Sequence, residues 1–432
     1  MNFSLLKNKY STNIGWTLIE KLLSLVSALI IGVLVIRYLG PEQFGLLSYS
    51  LSYVAIFSFL VSLGLDGIVV REIVRNPKDS NIIVTTSFVM KLLVLLIVVL
   101  IINTISSYSN DSIELKLIIF VTSLNLLQEP FNVFFNYFQA IVKIKNISLS
   151  IIGSKLAVII LKLLLIYFQC NLIYFVIVDS IIIVSLSIIY LILYLKHTKV
   201  HVFDVFKFDK KIAVFLLKDS WPLMISSGAI LMYMRLDQIM IKDMLSLTDL
   251  GFYSTSVKLA EAWYFIPMTI TSVMFPMLIK AKKLTFQMYE HRLKQLFFAC
   301  FITSLFFCVP IYLFSDLIIK SIFGIEYMAS SSPLKILSLA GLFVSMGYVN
   351  GKWMVVENYT KLSLLRNVIG LIINILLNLY LIPIYGINGA AFSTVISILF
   401  SANLFFLFHK KTRKMFITQN KSMLYLNFKT NL

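Results

Sequence analysis

The sequence predicts an all-α polytopic membrane protein, with twelve transmembrane helices in two parallel-repeat six-helix bundles. Three observations predict it. The chain of 432 residues is 59% hydrophobic and 13% charged, whereas charge makes up about 25% of an ordinary soluble domain. Twelve apolar stretches divide it: 13–36, 44–64, 82–103, 116–138, 148–169, 171–195, 221–242, 251–279, 293–315, 334–356, 362–382 and 387–408. Each approaches the roughly 20 residues needed to cross a hydrocarbon layer about 30 Å thick. Finally, Lys and Arg crowd into every second gap between the stretches.

The charge count sets direction. With the N-terminus inside, the inward segments hold 27 of the 38 Lys and Arg residues, the outward gaps 5 and the crossings 6. Positive charge beside short loops stays cytoplasmic, so both termini are expected there. A net charge of +18 would suggest nucleic acid if read alone. Its placement excludes that partner: the excess faces the cytoplasmic leaflet, where it meets anionic membrane lipids.

The first crossing carries a polar stripe of Asn13, Thr17, Glu20, Lys21, Ser24 and Ser27 at three- and four-residue steps. It has no small-residue cleavage site, so it is read as a retained helix rather than a signal peptide. In the third, Lys91 lies near enough to the inner surface to snorkel. The fourth places Glu129 beside Pro130. The fifth holds Lys155 and Lys162, seven residues apart on one face and about 10 Å apart by helical rise. The sixth carries Asp179. The seventh contains Tyr233-Met234-Arg235-Leu236-Asp237, where Arg235 and Asp237 point to opposite sides and need separate partners. In the eighth, Lys258 and Glu261 are spaced to pair, followed by Trp263, Tyr264, Pro267 and Pro276. Lys352, Lys361 and Arg366 are assigned to the inward segment before the eleventh crossing.

The longest polar interruption falls between crossings six and seven. It gives an N-terminal bundle over 1–200, a cytoplasmic linker over 201–219, a C-terminal bundle over 220–409 and a basic cytoplasmic tail over 410–432. A faint repeat supports the division: Leu39, Gly45, Ser48 and Ser50 align with Leu245, Gly251, Ser254 and Ser256. Six crossings per half make the repeats parallel, with the substrate site expected between them.

No gap is long enough for a soluble catalytic domain. Gly351-Lys352 lacks the leading Gly and trailing Ser or Thr of a phosphate-binding loop. Cys170, Cys300 and Cys308 show no ligand spacing, and all four histidines lie in inward segments. No cofactor, metal or enzymatic activity is expected. The chemistry lies in the buried charges. An ionisable group in hydrocarbon costs at least ~2.5–3.5 kcal/mol and normally faces a cavity or a partner. Arginine stays charged at physiological pH, and the crossings hold 6 basic against 5 acidic residues. Arg235, Lys155 and Lys162 therefore point to an anionic ligand. Lys258 with Glu261 reads equally as a structural pair. Trp263 and Tyr264 fit packing, or a platform for sugar.

The segments SWPLMISSGAILMYMRLDQIMIKDML (220–245) and LGFYSTSVKLAEAWYFIPMTI (250–270) resemble Wzx-type O-antigen and polysaccharide-unit flippases. These belong to the multidrug/oligosaccharidyl-lipid/polysaccharide exporter superfamily. IRYLGPEQFGLLSYS (36–50) and YGINGAAFSTVIS (385–397) resemble the same family. The resemblance implies two six-helix bundles around a central cavity that opens alternately to either side. It implies a multi-pass protein of the bacterial inner membrane whose substrate is an oligosaccharide repeat unit on undecaprenyl diphosphate. Arg235, Lys155, Lys162, Lys21 and Lys258 would meet the diphosphate, and Trp263 and Tyr264 the glycan. Glu20, Asp179, Asp237 and Glu261 would serve ion coupling, to H+ or Na+, or ion pairing. A complex with a polysaccharide polymerase and a chain-length regulator would follow from the same pathway. Two other functions compete: a multidrug–cation antiporter of the same superfamily, which would favour a more acidic cavity, and a polytopic polymerase or ligase, which would need a sizeable outer loop. A reporter fused after residue 415 should read cytoplasmic; an external signal would break the twelve-crossing count.

Overall fold

A computed structural model supplies the structure. It describes residues 3–423, with side chains over residues 30–422 (Thr360 excepted) and at Trp16, Glu20, Leu23 and Ser27. Among the described residues there is no strand, and eleven helical segments are long and apolar enough to cross a membrane. The counted segments begin at Ile30; the first apolar stretch, 13–36, is helical in its backbone. A helix satisfies all its backbone groups internally, which makes it one of the two structures that hydrocarbon tolerates. The chain separates into two compact units, Met1–Leu231 and Met232–Leu432.

The first unit contains α1 (Phe3–Ser62), α2 (Asp66–Arg75), α3 (Ser80–Tyr108), α4 (Ile113–Ser123), α5 (Gln128–Ala140), α6 (Lys145–Tyr167), α7 (Leu172–Thr198) and the first part of α8 (Lys210–Met244). Helix α1 breaks at Gly40, whose φ of 72° is open to a residue without Cβ, and Pro41 restarts it. The core packs Val69, Val84, Phe88, Val133, Phe134, Tyr190, Tyr194 and Leu216 from five helices.

The second unit contains the rest of α8, then α9 (Leu247–Glu261), α10 (Phe265–Leu284), α11 (Phe286–Ile322), α12 (Ser331–Val356), α13 (Thr360–Tyr385), α14 (Ile387–Leu399), α15 (Phe405–Phe408) and α16 (Arg413–Met423). Between α14 and α15 a π-helical turn at Phe400–Leu404 joins the two pieces. Ser246 separates α8 from α9 and caps α9, its hydroxyl accepting from the Asp249 amide at 3.0 Å. Gly40 and Ser246 are positions that the sequence repeat aligns.

Four local readings change. Residues 210–219, expected in the linker, are the first turns of α8, because Asp209 Oδ1 caps the amides of Lys211 and Ile212 at 2.8 and 3.0 Å. Residues 413–423, expected in the tail, form α16. Its Met415, Thr418, Gln419 and Ser422 are buried at helical spacing, while Lys414 and Lys421 are exposed. Lys91 does not snorkel; it is 0% exposed. Arg366, assigned to an inward segment, is buried inside α13.

Close packing depends on missing Cβ atoms. A Cβ at Gly389 would stand 2.1 Å from the Leu381 carbonyl oxygen, so α14 can meet α13 there only without a side chain. A Cβ at Gly153 would meet nothing within 4 Å. Gly389→Ala should therefore lower the thermal stability of the detergent-purified protein by about 1–3 kcal/mol, while Gly153→Ala leaves it unchanged or raised; equal melting temperatures for the two variants would remove this packing constraint.

Candidate functional site

In the first unit Lys91, Lys162, Asp179 and Glu20 find partners. Lys91 Nζ donates to Asp66 Oδ1 at 2.7 Å and to the Glu129 carbonyl at 3.3 Å, and Asn136 Nδ2 donates to the same Asp66 oxygen at 2.9 Å. Helix α2 begins at Asp66, which brings this carboxylate to the third helix. Lys162 Nζ on α6 donates to Asp179 on α7 at 2.8 Å. Lys155, one face with Lys162, is exposed. The two lysines read as uncompensated cations are thus one compensated and one exposed. Glu20 accepts from Ser148 Oγ at 3.4 Å. Lys21 lies outside the residues whose side chains are described.

The second unit gathers its polar groups on α8, α9, α13 and α14. Arg235 and Asp237 take separate partners, as their spacing requires. Arg235 Nη2 donates to Glu261 Oε2 at 3.4 Å, with side chains 31% and 27% exposed. Asp237 is buried; its Oδ2 accepts from Tyr253 Oη on α9 and from Thr394 Oγ1 on α14, the latter at 3.2 Å. The Gln238 amide donates to Asp237 Oδ1 at 2.8 Å. Lys258 is exposed on α9. The hydroxyls of Tyr233, Tyr264 and Tyr348 lie within electrostatic reach of Glu261.

Trp263 and Tyr264 occupy the turn between α9 and α10. Trp263 is 4% exposed and stacks on Phe307, with ring centroids 5.3 Å apart and planes 9° apart. A Cβ on Gly341 would come within 2.3 Å of the indole, so α12 leaves a slot for this ring. Tyr264 packs edge-on against Trp263 at 5.1 Å. Both are buried among apolar neighbours that include Cys308.

Three residues of this cluster were not singled out in the sequence: Tyr253, Thr394 and the buried Arg366. Tyr253 and Thr394 carry no pattern signal of their own; Asp237 needed partners, but nothing in the chain says which hydroxyls supply them. Arg366 sits at the edge of an apolar stretch, where hydropathy does not distinguish a loop cation from one within a helix.

Arranged in this way, the second unit holds a part-exposed cation–carboxylate contact and a buried acid that accepts from two hydroxyls. The polysaccharide biosynthesis protein family's profile matches residues 11–282, more than half of the chain. The chain belongs to that family. An uncharacterised membrane protein of Methanocaldococcus jannaschii is 24% identical over 203 residues, covering 47% of this chain and 46% of that one. A Haloferax volcanii protein named as a probable low-salt glycan biosynthesis flippase, Agl15, is 25% identical over 169 residues, covering 38% and 35%. The matched regions thus span less than half the length of either curated relative.

Two solved structures share the fold along nearly the whole chain. One is an inward-facing multidrug resistance MATE family transporter of the MOP superfamily, with TM-score 0.65, 14% identity and coverage of 93% of this chain and 96% of that one. The other is the lipid II flippase MurJ in an inward closed conformation, with TM-score 0.65, 17% identity and coverage of 95% and 91%. The protein is therefore a multi-pass membrane protein of the polysaccharide biosynthesis protein family, with the fold that these two structures share.

The Lys162–Asp179 contact yields a quantitative expectation. Removing one partner strands a charge in a low-dielectric setting. Lys162→Met and Asp179→Asn should each destabilise, and the double variant should recover about 0.5–3 kcal/mol of the summed loss. Strict additivity in thermal unfolding would mean that the two groups do not interact.

Proposed function

We propose that the protein is a flippase that moves an undecaprenyl-diphosphate-linked oligosaccharide repeat unit from the cytoplasmic to the outer leaflet of a bacterial inner membrane. The cargo belongs to O-antigen or a related surface polysaccharide, and transport proceeds by alternating access. Family membership supports the cargo class, and the flippase name of the Haloferax relative agrees with it. The observation that carries the chemistry is the Arg235–Glu261 contact. At 3.4 Å, with both ends about a third exposed, it is long for a charge-assisted hydrogen bond. A diphosphate brings two negatively charged centres and competes for the guanidinium, whose paired N–H groups fit two phosphoryl oxygens at once.

Exchange of partners supplies a coupling step. When the diphosphate takes Arg235, Glu261 loses its counter-charge inside a tyrosine-lined setting and binds a cation, H+ or Na+. Release of that cation restores the pair and expels the anion. Asp237 is the second coupling group in this reading, held by Tyr253 and Thr394. Asp179 and Glu20 remain candidates in the first unit. Lys155, Lys162, Lys21 and Lys258 are proposed to add positive field along the diphosphate path, with Trp263 and Tyr264 shaping the wall beside the glycan. The net excess of cations over acids in the crossings favours an anionic cargo over a cationic drug.

A deletion strain should accumulate lipid-linked saccharide on the inner leaflet and lose surface polysaccharide. Arg235→Ala should do the same with protein level and membrane insertion intact. Arg235→Lys, which keeps charge but loses the planar fork, should be partly defective. Normal surface polysaccharide in the Arg235→Ala strain would sink the exchange mechanism, and glycosyl transfer by the purified protein would replace the flippase with an enzyme.

A further inference from the structure

Arg366 is the buried cation that the contacts above leave without a counter-charge. It lies in the second turn of α13 and is 8% exposed. Its Nε and Nη1 are buried and donate to no group. The other cations already placed within the crossings are either held by a carboxylate, as Lys91, Lys162 and Arg235 are, or exposed, as Lys155 and Lys258 are. Among the described residues, the titratable group in electrostatic contact with Arg366 is the Tyr233 phenol, which is neutral at physiological pH. The Tyr233 ring packs beside Ala340, Ile398 and Ala402. A guanidinium cannot escape this position by giving up its proton. Water can occupy its donors but supplies no opposite charge.

We propose that Arg366, with the Tyr233 hydroxyl as second donor, forms a phosphoryl-anion subsite within the C-terminal unit. This rests on the flippase reading and deepens it, because the anion is the diphosphate of the lipid-linked cargo. The chemistry follows from the free donors. Nε–H and Nη1–H leave different edges of the guanidinium, so each is free to take an oxygen of the anion as a charge-assisted donor, and the Tyr233 phenol on α8 adds a third donor. The subsite also differs from Arg235 in kind. Arg235 must first release Glu261, whereas Arg366 has no carboxylate to displace. It therefore engages the anion without prior exchange and holds it while Arg235 changes partners.

The probes are undecaprenyl diphosphate without glycan, phosphatidylglycerol and inorganic pyrophosphate, each titrated against the full-length protein in detergent. Binding is read by native mass spectrometry and by the shift in melting temperature. Removing a charge-assisted hydrogen bond at a buried site weakens binding by about 10- to 100-fold. That loss is expected for undecaprenyl diphosphate with Arg366→Gln, a smaller one with Arg366→Lys and with Tyr233→Phe, and no dependence on Arg366 for phosphatidylglycerol. Should Arg366→Gln fail to accumulate, Arg366→Lys and Tyr233→Phe decide the matter by the same comparison. Wild-type affinity in the variants overturns the subsite and leaves the flippase reading standing. Equal Arg366 dependence for phosphatidylglycerol also overturns it, in favour of a bilayer-headgroup site. A wild-type protein that binds no undecaprenyl diphosphate removes the flippase reading and the subsite with it. Pyrophosphate binding that is lost in Arg366→Gln shows that the headgroup alone is recognised and supports the proposal.

Discussion

Hydrocarbon does not solvate charge, and the placement of nearly every polar group in this chain follows from that. A lysine or arginine within a crossing must reach water, find a carboxylate or await an anion. Lys155 and Lys258 are exposed on the surface of their helices, open to whatever surrounds the protein there. Lys91 and Lys162 take the second, each within 2.8 Å of an aspartate on a neighbouring helix. Arg366 does neither within the described protein, and the third course is the one left to it. The same constraint accounts for the hydroxyls around Asp237, since a buried carboxylate is tolerable only when its oxygens are hydrogen-bonded.

Helix packing in such a medium has little hydrophobic drive, because lipid tails are as apolar as the side chains they would be exchanged for. Small residues and hydroxyl contacts take its place. Gly389 allows α14 onto the α13 backbone, and Gly341 opens the slot that Trp263 fills. Ser304 donates to Ser345 at 2.6 Å between α11 and α12, both buried. The seating of Trp263 against Phe307 and Gly341 accounts for its burial more directly than contact with a sugar does.

The crossings were legible in the sequence because the signal for them is bulk hydropathy, which does not depend on knowing what packs where. The short amphipathic pieces were less so. The start of α8 hangs on the Asp209 cap, and α16 hangs on four buried positions that need a surface to cover. Charge compensation was legible as a requirement but not as a pairing. Arg235 and Asp237 lie two residues apart, so separate partners were predictable. That Thr394 would be one of them was not, because it lies on α14, far along the chain from α8. Arg366 was misplaced for a related reason: near the end of an apolar stretch, only the burial of the side chain tells a loop cation from a helical one.

Bond length and exposure divide the ion pairs into two kinds. Lys91 with Asp66 and Lys162 with Asp179 are short, and their lysines are 0% and 15% exposed. On the proposed reading these short pairs hold neighbouring helices together, with lysines less open than Arg235. Arg235 with Glu261 is longer at 3.4 Å, and its cation is 31% exposed. Little geometry is lost when that contact opens, and an anion with two phosphoryl groups offers the arginine a better-matched acceptor than a single carboxylate. On the proposed reading, transport needs both kinds: pairs that persist through the cycle hold the helices, while a pair that yields lets the cargo be bound and then dismissed. Arg366 strengthens this division, because a cation without a resident partner holds the anion during the interval in which Arg235 is changing hands.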